Sequence, residues 1–143
     1  DAFAKLQERK HAFVTLHVGA GTFKPVDAEN IYEHKMHFES FYISKEAKEI
    51  IKSNDKIIAF GTTACRAIES FVSGKTDTTN LFLHPENTPL RVNHLLTNFH
   101  LPKSTLLMLV SSFIGTDKAL ELYNLAIAKK YRFYSYGDAM LII

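Results

Sequence analysis

The sequence predicts an α/β domain in which a mostly parallel sheet, or a partial barrel, is covered by helices. Stretches with strand patterns alternate with stretches of helical spacing, which is typical of parallel strands joined by helical crossovers. The stretch KIIAF at 56–60 is short and continuously apolar, like a strand that is covered on both faces. The chain has 143 residues and 46% of them are hydrophobic, so we expect a single globular domain over 1–143.

The N-terminal half is expected to hold three strands and three helices. The strands are predicted at 11–18 (HAFVTLHV), at 35–43 (KMHFESFYI, alternating and aromatic) and at 56–60. The helices are predicted over 1–10, 45–53 and 62–72. Ser44 is placed to cap the second of these helices, and Thr62 or Thr63 is placed to cap the third.

In the C-terminal half, Pro102 separates a polar stretch from the most apolar helix of the chain. Its ring fixes φ near about −65° and favours an extended Leu101, so we expect a sharp turn. Ser104 can then cap a helix over Thr105–Phe113, which is apolar on nearly every face and should be buried. Gly115 should end this helix.

The remaining predicted elements are shorter or lie nearer the C-terminus. A polar loop is expected at 73–80, short strands at 81–84 (LFLH) and 94–96 (HLL), and a helix from 116 to about 130. The end of the chain, YRFYSYGDAMLII, predicts a turn followed by a final buried strand.

Charge and cysteine content restrict the class of protein only weakly. A net charge of +2 with neutral His neither requires nor excludes a nucleic acid partner. The single cysteine, Cys65, excludes an internal disulfide and fits a reducing cytosol, so a cytoplasmic location is expected. No run approaches the roughly 20 apolar residues of a membrane span, and no signal peptide is recognisable. The chain opens without Met and within a helical pattern, so we expect it to be part of something longer.

The first candidate site is the glycine-bearing stretch HVGAGTF at 17–23. His17 ends a predicted strand, and Gly19 and Gly21 allow the backbone to turn and to approach a ligand closely. Ligands of α/β sheets lie beyond the carboxyl ends of strands. The spacing is similar to a dinucleotide-binding fingerprint, but a lysine and a proline follow instead of a helix, so the motif fails its structural context. A plain glycine turn is the alternative.

The second candidate site is the stretch EHKMHFES at 33–40. On a strand, His37 and Glu39 would project to one face because side chains alternate. The two groups could share a proton, which suits a general acid or base near neutral pH. With His34 they could instead hold a metal ion, and a solvated polar strand face is the third possibility.

The third candidate site is the stretch AFGTTACRAIES at 59–70. A strand that passes through Gly61 into a helix leaves free N–H groups at the positive end of the helix dipole. These groups can hold a carboxylate, a phosphate or a ribose hydroxyl. Arg66 lies one turn further and could pair with the same anion. An ordinary strand-to-helix turn is the alternative.

The fourth candidate site combines the residues before the apolar helix with the stretch YRFYSYGDAM at 131–140. Asn98 and His100 precede a rigid, capped helix, and such an edge suits a binding site. They could equally satisfy backbone groups of the core. Tyr136 can stack on a base and Asp138 can accept a hydrogen bond from an amine or a base edge. An aromatic-lined turn is the alternative.

Five stretches together resemble one known family. They are VTLHVGAGTFKPV, HKMHFES, FGTTACRAIES, LLTNFHLPKSTLLMLVSSF and YRFYSYGDAMLI. Their order is that of the S-adenosylmethionine:tRNA ribosyltransferase-isomerases of the queuosine pathway, and the resemblance runs from about Ala12 to Ile142. The loop HPENTPLRVN at 84–93 departs from the family pattern, which has a Pro-Gly-Tyr turn there. The family's chains are much longer, so the resemblance is to their C-terminal part.

The resemblance implies a tRNA-modifying transferase and isomerase. Members of this family transfer the ribosyl part of S-adenosylmethionine to an aminomethyl-deazaguanine at the wobble position of tRNA. The ribosyl unit rearranges to give epoxyqueuosine, and adenine and methionine are released. S-adenosylmethionine is then a co-substrate, the partner is a tRNA that carries the deazaguanine precursor, and neither a metal nor a membrane is expected.

Under this resemblance the candidate residues divide into three groups. Proton transfer is assigned to His37, Glu39, His100 and His17. Cofactor binding is assigned to Gly19, Gly21, Thr22, Phe23, Gly61, Thr62, Thr63 and Arg66. Substrate binding is assigned to Asn98, Tyr136 and Asp138, and we expect Asn98 and His100 to line the same pocket as His37 and Glu39. Two alternatives stay open: a tRNA- or nucleotide-binding module without turnover, and a metal-dependent hydrolase that uses His34, His37 and Glu39.

Overall fold

The structure is a computed structural model that describes residues 5, 8–19, 34 and 36–143. Its mixture of strands and helices confirms the predicted α/β content. Most of the helix predicted over 1–10 lies outside the described residues. The candidate cofactor-binding residues Gly21, Thr22 and Phe23 also lie outside them.

Six strands and four helices occur in the described part of the chain. The strands are β1 (Val14–Leu16), β2 (Glu39–Ile43), β3 (Ile58–Phe60), β4 (Thr78–Thr79), β5 (His94–Asn98) and β6 (Ala139–Ile142). The helices are α1 (Lys45–Lys52), α2 (Thr62–Val72), α3 (Thr105–Ile114) and α4 (Thr116–Ala128). Each of these helices lies where the sequence predicted one. None of the helices in the described ranges is long and apolar enough to cross a bilayer.

The strands form two three-stranded sheets, with the orders β1-β2-β4 and β3-β5-β6. Strands β3 and β5 are parallel, whereas β1-β2, β2-β4 and β5-β6 are antiparallel pairs. The expected mostly parallel sheet and the partial barrel are therefore not confirmed by the described strands. The connections explain the difference. A single helix, α2, separates the parallel strands β3 and β5, but two helices, α3 and α4, separate β5 from β6.

Helix α2 connects the two sheets, because it contacts β1 and β2 on one side and β3 and β5 on the other. Cys65 and Ala67 of this helix are fully buried in the core. Two charged residues of the same helix, Arg66 and Glu69, are also buried. A buried charge is stable only when it is paired or well hydrogen-bonded, so α2 must carry polar contacts as well as apolar packing.

One face of the sheet β3-β5-β6 is apolar and exposed. Ala59 is buried, but its neighbours Ile58 and Phe60, which point to the opposite face, are exposed. Phe60 pairs with Leu96, and Leu96 pairs with the exposed Leu141, so these side chains share that face. The KIIAF strand was expected to be covered on both faces. This expectation is wrong for the described part of the chain, in which only the face that carries Ala59 is covered.

The serine caps of α1 and α3 are confirmed. The N–H of Ala47 donates to Oγ of Ser44 at 3.1 Å, and the N–H of Leu107 donates to Oγ of Ser104 at 3.1 Å. Helix α3 is largely buried, as its apolar sequence predicted. Gly115 is the C-cap residue of this helix, as predicted.

Two segments between α2 and β5 differ from the prediction. The stretch at 81–84 forms no strand, and only an isolated bridge joins His84 to Asn87. Strand β4 lies instead in the segment predicted to be a polar loop. Thr79 of β4 is buried and its hydroxyl lies 2.5 Å from the hydroxyl of Ser70, so a hydrogen bond compensates for burying this polar strand.

Candidate functional site

Three of the predicted stretches meet at one edge of the sheet β3-β5-β6. The carboxyl ends of the parallel strands β3 and β5 lie at this edge, and the antiparallel β6 begins there. The segments at these strand ends are here named the sheet-edge cluster: Gly61–Thr63, Asn98–His100 and Gly137–Asp138. Backbone bonds join them, since the N–H of Gly61 donates to the carbonyl of Leu96 at 2.8 Å and that of Phe99 donates to the carbonyl of Asp138 at 3.4 Å.

Helix α2 begins at this edge without a side-chain cap. The N-cap residue is Gly61, which has no side chain to accept from the first turn, so the prediction of a cap by Thr62 or Thr63 is wrong. Gly61 has φ 91° and ψ 150°, a conformation that is essentially confined to glycine. The bond from the N–H of Cys65 to the carbonyl of Gly61 measures 3.2 Å and begins the helical pattern. The helix start therefore offers uncapped N–H groups and the positive end of its dipole.

Asn98 ties the end of β5 to the turn before β6. Its side-chain amide donates to the carbonyl oxygens of Asp138 at 3.3 Å and Gly137 at 3.4 Å. The carboxylate of Asp138 accepts from the backbone N–H of Arg132 at 2.7 Å and from its guanidinium at 3.0 Å. Hydrogen bonding from the Arg132 side chain holds the pKa of Asp138 below its ordinary value, so Asp138 is a carboxylate at neutral pH. The fold thus brings Asn98 and Asp138 together.

The turn between Arg132 and Asp138 is held by its own backbone. The N–H of Asp138 donates to the carbonyl of Arg132 at 2.8 Å, and the N–H of Gly137 donates to the carbonyl of Tyr134 at 2.9 Å. A Cβ atom at Gly137 would overlap the carbonyl oxygen of Arg132, so this close approach requires glycine. Tyr136 lies within this turn and is 97% exposed. The turn therefore presents an aromatic ring to solvent on a rigid support.

His100 is a partly buried imidazole with two neighbours inside the protein. Its Nε2 lies 2.8 Å from Oγ1 of Thr97, and its backbone N–H donates to Oη of Tyr123 at 3.1 Å. Burial lowers the pKa of His100 to about 4, so the ring is uncharged at neutral pH. Since Thr97 engages Nε2, Nδ1 is the nitrogen left to donate to or accept from a ligand.

Phe99 lies between Asn98 and His100 and is a core residue. Its ring centroid lies 5.5 Å from that of Tyr123, 5.6 Å from that of Tyr131 and 5.3 Å from that of Phe133. Aromatic pairs of this kind contribute about 0.5–1.5 kcal/mol beyond the burial of their area. The aromatic cluster therefore anchors the short segment that carries both polar side chains.

Glu39, Arg66 and Gly19 form a second group, here named the Glu39 cluster. Oε2 of Glu39 accepts from Nη1 of Arg66 at 2.5 Å, and Oε1 accepts from the N–H of Gly19 at 2.8 Å. Glu39 and Arg66 are each only 3% exposed. Nε of Arg66 donates to the carbonyl of Leu81 at 3.4 Å, whereas its Nη2 has no hydrogen-bond partner within the described ranges. The Glu39 cluster thus links Gly19 and the first residue of β2 to helix α2.

Burial separates His37 from Glu39, which the sequence placed on one strand face. Strand β2 begins only at Glu39, so His37 lies ahead of the strand, and its side chain is exposed while Glu39 is buried. His17 is also exposed, and its backbone N–H donates to the carbonyl of Ser40 at 2.8 Å. The two imidazoles are therefore accessible to solvent, but the carboxylate is not.

The metal-binding set considered from the sequence is not assembled here. The ring of His34 packs against that of Phe82 at a centroid distance of 5.4 Å, whereas the carboxylate of Glu39 binds Arg66. Across the described residues, no three His, Cys, Asp or Glu side chains are grouped so that they could hold a metal ion.

Sequence reasoning missed the residues that fix the loop at 84–93. Glu69 is 1% exposed, and its carboxylate accepts from three consecutive backbone N–H groups. The donors and distances are Leu90 at 2.7 Å, Arg91 at 2.9 Å and Val92 at 2.6 Å. The guanidinium of Arg91 in turn donates to the carbonyls of Ile51 at 2.6 Å, Ser53 at 2.8 Å and Asp55 at 2.8 Å. A carboxylate within the stretch AIESF, between apolar residues of a predicted buried helix, is the signal that could have identified Glu69.

Comparison with known proteins agrees with the resemblance of the motifs. The model of the family described as queuosine biosynthesis protein matches residues 1–142. The S-adenosylmethionine:tRNA ribosyltransferase-isomerase of Sulfurimonas denitrificans is 62% identical over an aligned length of 136, and the match covers 93% of this chain and 40% of that protein. The protein of the same name from Campylobacter jejuni, serotype O:23/36, is 60% identical over an aligned length of 144, and the match covers 99% of this chain and 42% of that protein.

A solved structure is similar as well. The crystal structure of S-adenosylmethionine tRNA ribosyltransferase from Thermotoga maritima matches with a TM-score of 0.66 and 40% sequence identity. The match covers 73% of this chain and 41% of that one. The chain thus spans about two fifths of the length of the curated relatives that it matches. A family model that matches nearly every residue, together with identities of 60% or more, shows that this chain belongs to the queuosine biosynthesis protein family.

Proposed function

We propose that the protein carrying this chain transfers and isomerises the ribosyl unit of S-adenosylmethionine onto an aminomethyl-deazaguanine at the tRNA wobble position. The product is epoxyqueuosine, and adenine and methionine leave. The observation that carries the proposal is the 60–62% identity to relatives named as S-adenosylmethionine:tRNA ribosyltransferase-isomerases over at least 93% of this chain. The activity is proposed for the longer protein, and its tRNA substrate is expected in the cytoplasm.

The chemistry requires three events from the protein. A base must remove a proton next to the sulfonium, adenine must leave with help from a hydrogen bond or a proton, and a neutral amine must attack. His37 and His17 are proposed for proton transfer, because both side chains are exposed and an imidazole can act as a general acid or base. His100 is proposed as an uncharged hydrogen-bonding group, since burial lowers its pKa to about 4. Such a neutral imidazole can polarise a reacting group without transferring a full proton.

The cofactor is proposed to lie near the start of α2 and the glycine stretch. The N–H groups of Thr62 and Thr63, at the start of a helix without a side-chain cap, suit a carboxylate or the hydroxyls of a ribose. Gly19 allows close approach of a ligand to the backbone. The buried Nη2 of Arg66 is the remaining donor of that side chain for an anion. These assignments are supported by the position of α2 at the sheet edge, where ligands of α/β sheets commonly lie.

The deazaguanine is proposed to bind at the turn that Asn98 holds. Tyr136 would stack on the base or on a neighbouring base, because its ring is exposed and supported. Asp138 would accept from the aminomethyl group or a base edge, since a carboxylate has lone pairs beyond those that Arg132 uses. That Asn98 and His100 line the same pocket as His37 and Glu39 stays a prediction.

The test is turnover by the whole protein. It is incubated with S-adenosylmethionine and tRNA that carries the deazaguanine precursor, and adenine, methionine and the modified nucleoside are measured by mass spectrometry. Release of both small products together with epoxyqueuosine is expected, and unchanged activity in the presence of a chelator is expected as well. Tight tRNA binding without any release of adenine would favour the alternative of a binding module.

A further inference from the structure

Glu39 uses both oxygens of its carboxylate inside the protein. Oε1 accepts from the backbone N–H of Gly19 at 2.8 Å, and Oε2 accepts from Nη1 of Arg66 at 2.5 Å. Glu39 and Arg66 are each 3% exposed. Separating such a buried pair would leave each charge uncompensated, which is strongly unfavourable. Glu39 and Arg66 therefore stay paired in the folded protein.

We infer that Glu39 is a positioning residue that fixes Gly19 relative to helix α2, and not a proton-transfer group. A proton-transfer residue must reach the reacting atoms, but this carboxylate is buried against Arg66 and a backbone N–H. Arg66 lies on the same helix that begins at Gly61. The carboxylate therefore sets the distance between Gly19 and the first two turns of α2, and its effect on the cofactor rests on the function proposed above.

The geometry requires a carboxylate and not only a polar side chain. A carboxylate offers two acceptor oxygens, whereas the amide of Gln offers one oxygen and one donor. In Glu39→Gln the single oxygen should turn to the charged Arg66, because bonds from a charged donor are about twice as strong as neutral ones. The N–H of Gly19 would then face another donor and lose its partner.

The test measures hydrogen–deuterium exchange of the Gly19 amide in the protein that carries this sequence. The amide should be protected without any substitution, and Glu39→Gln should raise its exchange rate by at least about tenfold. The matched control is Glu69→Gln, which alters another buried carboxylate that accepts from backbone N–H groups, but one that binds the loop at 90–92. It should leave Gly19 exchange unchanged.

A double variant separates loss of the acceptor from loss of packing. In Glu39→Gln with Arg66→Met, the competing charged donor is gone, so the amide oxygen can return to Gly19 and its protection should recover. An unprotected Gly19 amide in the unsubstituted protein would overturn the inference. So would unchanged exchange in Glu39→Gln, an equal rise in Glu69→Gln, or fast exchange that persists in the double variant.

Steady-state kinetics test the link to function. Glu39→Gln should raise KM for S-adenosylmethionine on the order of tenfold while kcat changes by less than about threefold, because the variant loses positioning of a binding segment. A proton-transfer role instead predicts a collapse of kcat at unchanged KM, and that result would overturn the inference. If the unsubstituted protein shows no turnover, the proposed function fails, while the exchange experiment still decides the role of Glu39.

Discussion

Nε2 of His100 lies 2.8 Å from Oγ1 of Thr97, a buried residue that is the last but one of strand β5. This contact fixes the orientation of the imidazole, and burial lowers the pKa of His100 to about 4. The ring is therefore neutral at pH 7, and its Nε2 is the nitrogen that Thr97 engages.

Acidification should destabilise the protein through His100. The ordinary pKa of the ring is 6.5 and the pKa in the folded protein is about 4, so between these values the unfolded chain binds a proton that the native chain does not. The free energy of unfolding should therefore fall as the pH decreases from 6.5 to 4. His100→Gln should remove on the order of 1–3 kcal/mol of this pH dependence. Urea unfolding of the unsubstituted protein and of His100→Gln at pH 7 and pH 4.5 checks this prediction. If the free energy of unfolding falls by the same amount in both proteins between the two pH values, the prediction is contradicted.

Replacement of His100 should slow the reaction although the protein still folds. In the whole protein, His100→Ala should slow adenine release on the order of a hundredfold. Its unfolding free energy should fall by only about 1–3 kcal/mol, because the hydroxyl of Thr97 loses its partner. Tyr123→Phe is the control, since it removes the hydroxyl that accepts from the His100 N–H but keeps the imidazole. Equal losses of rate in the two variants would argue against a direct role for the ring.

The starts of α1 and α3 and the end of α3 were predictable because they depend on local sequence, whereas the predicted threonine cap of α2 was wrong. Ser44 and Ser104 each accept from an N–H three residues ahead, and Gly115 ends α3, so a short stretch contains all the required information. The direction of β6 was not predictable in this way. It depends on how α3 and α4 return the chain to the sheet, and the alternation of strand and helix patterns does not contain that information.

The sequence suggests candidate residues for a site, but it does not determine which of them contact each other. Glu39 and Arg66 are 27 positions apart, and the sequence pattern paired Glu39 with the nearby His37 instead. The lowered pKa of His100 also comes from burial by distant segments, so its neutral state could not be derived from the stretch around it. Local motifs thus identify polar residues worth examining, and tertiary packing decides which of them remain accessible.

Arg91 should be a major stability residue of the loop at 84–93. Its guanidinium donates to the carbonyls of Ile51, Ser53 and Asp55, and Arg91→Ala leaves all three without this donor. A loss of roughly 2–3 kcal/mol is expected, since hydrogen bonds from charged groups are strong. Lys118→Ala is the control, because Lys118 forms an exposed pair with Glu121 and should change stability by less than about 0.5 kcal/mol. Chemical unfolding measures both variants, and a similar loss of unfolding free energy in Arg91→Ala and Lys118→Ala would refute the stabilising role of Arg91.

Gly137→Ala should distort the turn before β6. The added Cβ would overlap the carbonyl oxygen of Arg132, so the backbone must shift. A loss of about 1–3 kcal/mol in unfolding free energy is expected, and affinity for the precursor tRNA should fall with it. Ser135→Ala in the same turn is exposed and should have little effect on either quantity. Thermal unfolding of the two variants compares them directly, and a Gly137→Ala protein as stable as the unsubstituted one would show that the turn has room for a side chain.

Tyr136→Ala should weaken tRNA binding without changing stability. The ring is 97% exposed, so its removal should alter the unfolding free energy by less than about 0.5 kcal/mol. If the ring stacks on a base, its loss should reduce the affinity for precursor tRNA by roughly tenfold, since stacking of one base on an aromatic side chain contributes about 1–3 kcal/mol. Tyr42→Ala is the matched control, because Tyr42 is an exposed tyrosine on β2, away from the sheet edge. Fluorescence anisotropy with labelled precursor tRNA measures both affinities at one fixed salt concentration. Equal affinities for Tyr136→Ala and the unsubstituted protein would remove Tyr136 from the substrate site, and an equal loss in Tyr42→Ala would show that the effect is not specific to this turn.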